Sequence, residues 1–230
     1  MSTLNEVEHY LAGITGPEDN KAVRLSNLPF VTISRQAGID AQAYADALLK
    51  ELAAQPDKDK CSGWQIFDRA LCQQIVDDDK LSRSTDSLLT KEYRSQIEEF
   101  IGSFFSHRVP QDEQVKRVAK VMRSLAGIGK VILIGSGGSQ AASELTHGVH
   151  IRLSAPEADR LHWLMDEHSL KQADAKRLLK DLDRSRKQLL HDHFQTDIED
   201  PNNYHCVINV SRITPSNLAA SICSLLTQLE

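Results

Sequence analysis

The chain has 230 residues, 40% of them apolar and 26% charged, which suits one α/β domain with a small inserted subdomain. A net charge of −5 and a pI near 6.0 argue against a protein that wraps duplex DNA, because phosphate contacts need a net basic face. No apolar run approaches a membrane span and the first residues lack the pattern of a signal peptide; Cys61, Cys72, Cys206 and Cys223 have neither disulfide-framework nor zinc-ligand spacing, so a cytoplasmic protein with reduced thiols is expected.

In chain order, Val7–Ile14 reads as a short amphipathic helix within an N-terminal extension, residues 1–27, that is partly disordered or packed on a partner. Pro29–Ser34 is an apolar, β-branched run and reads as a buried strand, followed by a loop and a helix over Ala41–Ala54. Trp64–Phe67 reads as a second strand, with Asp68 as N-cap of a helix over Arg69–Val76. Asp77–Thr90 is charged and reads as irregular, and Lys91–Arg108 and Gln111–Ile128 as two helices split by Pro110. Lys130–Ile134 is the strongest strand and ends in the glycine-rich stretch Gly135–Ser139; Gly148–Ser154 is another. Two helices follow, Glu157–Glu167 and, with Ser169 as its N-cap, Leu170 to about His193. His205–Val210 is the last strand, and Pro215 starts the last helix. Strands alternating with helices imply a parallel sheet covered on both faces, whose ligands sit at the carboxyl ends of the strands. The loops after Ser34, Ile134 and Val210 are therefore the candidate site.

Several segments, in this order and at this spacing, resemble the cytidylate-kinase-like family of P-loop nucleoside monophosphate kinases: VTISRQAG at Val31–Gly38, IFDRALCQQI at Ile66–Ile75, KVILIGSGG at Lys130–Gly138, His150–Leu190, and Asp200–Pro215. The resemblance implies a three-layer P-loop kinase-like α/β fold over residues 28–230, with a helical insertion about 77–128 and a helical lid about 169–195. It also implies transfer of the terminal phosphoryl group of ATP, with Mg2+, to a nucleotide or other small phosphate acceptor; a homodimer is left open, and neither DNA nor a membrane is an expected partner.

Where the family has a glycine-rich loop ending in a basic residue, this chain keeps Ser34, Arg35 and Gly38 but has Asp40, Ala41 and Gln42. The loop reads either as a weakened phosphate cradle or as an acidic helix N-cap. Ser34, Arg35, Gly38 and Gln42, with Ser211 and Arg212 after the last strand, are the implied donor-nucleotide residues. The acceptor-side candidates are Asp68, Gly135, Ser136 and Gly137; the family's arginine after the third strand is replaced by Ser136, and the glycines read as an open anion nest or as a tight turn. Arg184 and Arg186, with Arg177, are the candidates for stabilising charge on the moving phosphoryl group, or else part of a solvated helix face. No residues stand out as metal ligands. Loss of two glycines and a cation leaves a second possibility, a degenerate kinase that binds or regulates rather than transfers.

Overall fold

The computed structural model describes residues 4–14, 28–104 and 110–228. Five strands, β1 (Phe30–Arg35), β2 (Gln65–Asp68), β3 (Val131–Ile134), β4 (Gly148–Ser154) and β5 (Cys206–Asn209), form one parallel sheet in the order β2-β3-β1-β4-β5. Parallel neighbours cannot be joined by tight turns, so helices make the crossings. Helix α1 (Leu4–Ile14) precedes the first strand; the crossings use α2 (Ala41–Ala54), α3 (Lys58–Cys61), α4 (Arg69–Asp77), α5 (Asp79–Ser87), α6 (Lys91–Phe104), α7 (Pro110–Ile128), α8 (Gly138–Ala141), α9 (Glu157–His168) and α10 (Gln172–Phe194); and α11 (Pro215–Leu226) follows the last strand.

Side chains alternate across each strand, so the sheet has two faces of different character. On one face Val31, Ile33, Ile132, Val149, Ile151 and Leu153 pack with Ala45, Leu48 and Leu52 of α2 and Leu218 and Ile222 of α11. On the other, Phe30, Phe67 and Leu133 pack with α1, α4, α6 and α7 and reach Leu190 and Phe194 at the end of α10. A parallel strand covered on both sides is ordinarily apolar throughout. Strand β4 departs from that, because His150 and Arg152 are 6% and 5% exposed. Register sets Thr32 beside His150 and Ser34 beside Arg152. The Thr32 hydroxyl is 2.8 Å from His150 Nδ1, and Arg152 Nη1 donates to Ser34 Oγ at 3.1 Å. A polar stripe therefore runs through the sheet and ends at its carboxyl edge.

Three sequence expectations change, and one is sharpened. Asp77–Thr90 is not irregular: Asp78 caps α5 by accepting from the backbone N–H groups of Lys80 and Leu81, and Leu81 and Thr85 are buried. Only those two positions face inward, too few for periodicity to show. Ser169 is not an N-cap but the left-handed C-cap of α9, at φ 52°, and α10 begins at Gln172. The two helices expected either side of Pro110 are present as α6 and α7, with Pro110 itself the first residue of α7, where its missing N–H costs nothing; residues 105–109 lie outside the described residues. Helix α1 packs on the chain's own core, with Val7 and Leu11 buried and the Tyr10 hydroxyl donating to the Gly129 carbonyl at 2.6 Å; the rest of the extension, 15–27, lies outside the described residues. Among the described residues no helix is long and apolar enough to cross a membrane.

Burial moves the His150 pKa from its ordinary 6.5 down to about 4, with the neighbouring His205 ring adding to the effect. The folded state thus favours the neutral ring. Its contribution to stability is complete above pH 6.5 and is lost as pH falls towards 4, because the unfolded chain binds the proton first. At pH 4.5 the wild type should have lost about 2 kcal/mol relative to pH 7 that His150→Gln does not lose. Urea unfolding at the two pH values measures this, and equal losses in both proteins would remove the assignment.

Candidate functional site

Strand β1 ends at Arg35, and the turn to α2 contains Gly38 at φ 73°. A Cβ there would lie 2.3 Å from the Arg160 carbonyl oxygen, so both the backbone conformation and the approach of α9 require glycine. Asp40 accepts from the Ala43 N–H at 3.1 Å and caps α2, while Ala41 is buried in the core. Gln42 donates to Asp46 along its own helix at 2.8 Å and does not turn to the loop. Asp40 puts negative charge beside the donors that a polyphosphate would need.

Helix α10 crosses over this loop. Ala175, Leu179, Asp183, Arg186, Leu190 and Phe194 recur at spacings of three or four and form one stripe. Its two ends are apolar and buried, and its middle carries the charges. Asp183 Oδ1 accepts from the Ala37 N–H at 2.7 Å, and Asp183 Oδ2 accepts from Arg160 Nη1 at 2.6 Å. Arg160 also donates to the Ala155 and Ala37 carbonyls, both at 3.1 Å. Arg186 Nη1 donates to the Arg35 carbonyl at 3.3 Å. One loop N–H thus already faces a carboxylate supplied by α10.

Around this point the charges are unbalanced. Burial, and then the nearby Arg186, bring the Arg35 pKa down from 12.5 to about 10, with Asp68 opposing and Arg69 adding to the fall. Burial lowers Arg186 as well; Asp183 opposes it, and Arg152 and Arg160 reinforce it. Arg69 is lowered by burial. Five guanidinium groups, Arg35, Arg69, Arg152, Arg160 and Arg186, thus converge here; Asp68 and Asp183 lie among them, Asp197 acts on Arg152, and Asp40 stands at the start of α2. Even so lowered, Arg35 remains charged at neutral pH. No hydrogen bond joins the Arg35 or Arg69 guanidinium to another described residue. An anion would relieve this repulsion, and guanidinium forks match phosphate oxygens two at a time.

Of the residues singled out in the sequence, the structure gathers Ser34, Arg35, Gly38, Asp68, Gly135 and Arg186 at this edge. Asp68 caps α4 by accepting from the Leu71 N–H at 2.7 Å, and its charge acts on Arg35. Gly135 N–H donates to the Ile33 carbonyl at 3.1 Å, beside the Arg69 side chain. The stretch from Gly135 to Ser139 is buried rather than open; Gly137, at φ 96°, lies under Phe194 and Leu189 of α10, and Ser136 is buried with it. Arg184 is exposed on the outer side of α10, and Arg177, also exposed, pairs with Asp174 on its own helix at 2.8 Å. Ser211 donates to Asp159 of α9, and Arg212 is exposed beside it. Sequence reasoning passed over Arg69, Arg152, Arg160 and Asp183 as site residues. For Arg152 a signal was present: a cation in the middle of GVHIRLS, a run otherwise apolar enough for a buried strand.

Among the described residues no group of three or more His, Cys, Asp or Glu could hold a metal ion. In phosphoryl-transfer sites magnesium is held largely by phosphate oxygens and water, with one or two carboxylates.

A five-stranded parallel sheet, helices on both faces and arginines gathered at the strand ends define a kinase-like α/β protein. The profile of the cytidylate kinase-like family matches residues 30–212, and the chain belongs to that family. Among solved structures it is similar to an uncharacterized protein from Eubacterium ventriosum ATCC 27560, with a TM-score of 0.64 and 13% identity, covering 90% of this chain and 99% of that one. At that identity the likeness concerns the fold alone. The comparison with curated proteins gives no match.

Proposed function

We propose that the chain binds the phosphate of a nucleotide at the arginine-lined strand edge and acts as a phosphotransferase of the cytidylate-kinase type with a weakened donor cradle. The observation that carries the reading is the convergence of five guanidinium groups at that edge, two of which, Arg35 and Arg69, have no hydrogen bond to another described residue. Such a transfer needs little covalent chemistry from the protein; it needs positioning, and cations where charge spreads over the phosphoryl oxygens. Arg35, Arg69, Arg152 and Arg186 would supply those cations, with Ser34 holding Arg152 in place. ATP and Mg2+ enter through family membership; the ion, when bound, would neutralise charge on the phosphate oxygens, and Asp68 is the edge carboxylate available to it. An intracellular setting belongs to the same reading.

A second reading, a nucleotide-binding regulator that does not transfer phosphate, is favoured by one feature: Asp183 holds the Ala37 N–H, and Asp40 caps the next helix. Thermal shift with inorganic phosphate, CMP and Mg-ATP, together with a coupled kinase assay, separates the two. The expected result is a clear shift with phosphate and CMP, a small one with Mg-ATP, and CMP turnover well below about 1 s−1. Robust magnesium-dependent turnover would overturn the weakened cradle. No shift with any of the three would overturn the arginine site.

A further inference from the structure

Behind the arginine edge, where β4 carries His150, lies a cavity of about 550 Å3. It is bounded by α8, the carboxyl end of α10 and residues 194–205, and no Lys, Arg, Asp or Glu lines it. Its volume is that of a small-molecule site.

Four features of the lining describe an occupant. Gln140 is 6% exposed; its Oε1 accepts from the Ser139 hydroxyl at 2.8 Å, and its Nε2 has no partner among the described residues. A buried amide with unmatched donors is rare and calls for an acceptor. The second feature is His205, whose Nδ1 accepts from the His150 backbone N–H at 2.9 Å, which leaves Nε2 as the donating nitrogen. Phe194 and Tyr204 supply the third, a pair of aromatic walls. The Tyr204 hydroxyl is tied to the Ile198 carbonyl at 2.9 Å, and Arg152 lies 5.8 Å over its ring, so the face turned from Arg152 is what remains for a ligand. Last, His150 is fixed to Thr32, and burial holds it neutral at pH 7.

We propose that this cavity is a second ligand site, separate from the arginine edge, that takes an uncharged nucleoside with its base held by Gln140 Nε2. A phosphorylated group would find no cation in the lining itself; Arg152, behind the Tyr204 ring, is held by Ser34 on the arginine edge. An aliphatic ligand would leave the amide unpaired. A sugar alone has no flat face for the two aromatic rings, whereas a nucleobase offers carbonyl and ring-nitrogen acceptors in a plane. The inference does not depend on the proposed phosphate chemistry.

Adenosine, guanosine, cytidine and uridine, each titrated to roughly 10 mM against the full chain with amide chemical shifts as readout, test it. At least one should saturate. Gln140→Met, which keeps the volume and removes both donors, should weaken that nucleoside roughly ten-fold or more. Ser143→Leu, which fills the cavity from its wall, should also weaken it, and covers the case in which Gln140→Met misfolds. Arg186→Met should leave the affinity unchanged. Failure of all four to saturate, equal affinity in Gln140→Met and Ser143→Leu, or loss of binding in Arg186→Met would each overturn the site.

Discussion

Arg186→Met should weaken binding of inorganic phosphate or CMP by roughly ten- to a hundred-fold, the worth of one charge-assisted contact, while leaving the melting temperature unchanged or raised. The combination is the informative part. In the free protein Arg186 is half-buried beside Arg35, Arg152 and Arg160, and it has one nearby carboxylate, Asp183. Its one hydrogen bond to a backbone oxygen, the Arg35 carbonyl, is long, at 3.3 Å. Removing it takes away repulsion between like charges along with that contact. A residue that helps the fold little and the ligand much is what a site built against stability leaves behind. Thermal denaturation with and without phosphate reads both quantities. A variant that melts several degrees lower and binds phosphate as before would show Arg186 to be structural.

Asp183→Ala should have the opposite profile. Asp183 satisfies the Ala37 N–H and balances Arg160, whose own side chain is 10% exposed. Breaking a buried pair by removing one member leaves an uncompensated charge, which ordinarily costs 3–5 kcal/mol. Asp183 is 34% exposed, so water screens part of that loss and about 2 kcal/mol is expected. For a chain of this size that is roughly 4–8 °C in melting temperature. Phosphate should restore much of it, because the anion can take both the Ala37 N–H and the Arg160 guanidinium that the carboxylate leaves. The stabilisation by a fixed phosphate concentration should therefore be larger in Asp183→Ala than in the wild type. Equal stabilisation in the two proteins would mean that phosphate does not reach this loop. Asp183 would then be an ordinary strut between α10 and the sheet rather than an internal stand-in for the ligand.

The two results together bear on how α10 works. Its ends are anchored by buried apolar residues, Ala175 and Leu179 towards α9 and Leu190 and Phe194 over the glycine loop. Its charged middle spans the phosphate-type turn between those anchors. Large movement of the whole helix would expose four buried side chains, whereas exchange of the Asp183 carboxylate for a ligand oxygen needs only local change. On the proposed reading, an arginine and an aspartate in one stripe set two opposing tendencies at the loop: Arg186 would add to the pull on an anion, and Asp183 would compete with it.

Local signals made most of the fold legible in the sequence. Strands β1, β3 and β4 announce themselves as apolar, β-branched runs, and α2, α4 and α11 by their periodicity and by Asp40, Asp68 and Pro215 at their starts. Helix α5 was hidden, because two inward positions make no period and its burial comes from a neighbour. Ser169 was misplaced, because serine suits an N-cap and only the chain's left-handed turn after α9 gives it the other role. At the candidate site, the placement of Ser34, Arg35, Gly38, Asp68 and Arg186 near the strand ends was legible in the sequence, since each follows a strand run or sits in a patterned helix. So was the loss of the loop glycines and cation at Asp40, Ala41 and Gln42. What only the tertiary structure decided is which charges meet. Arg152 lies 118 positions from its partner Ser34, and Asp183 lies 146 from Ala37. No local rule connects residues that far apart; the strand order and the path of α10 bring them together, and with them the excess of positive charge at the sheet's edge.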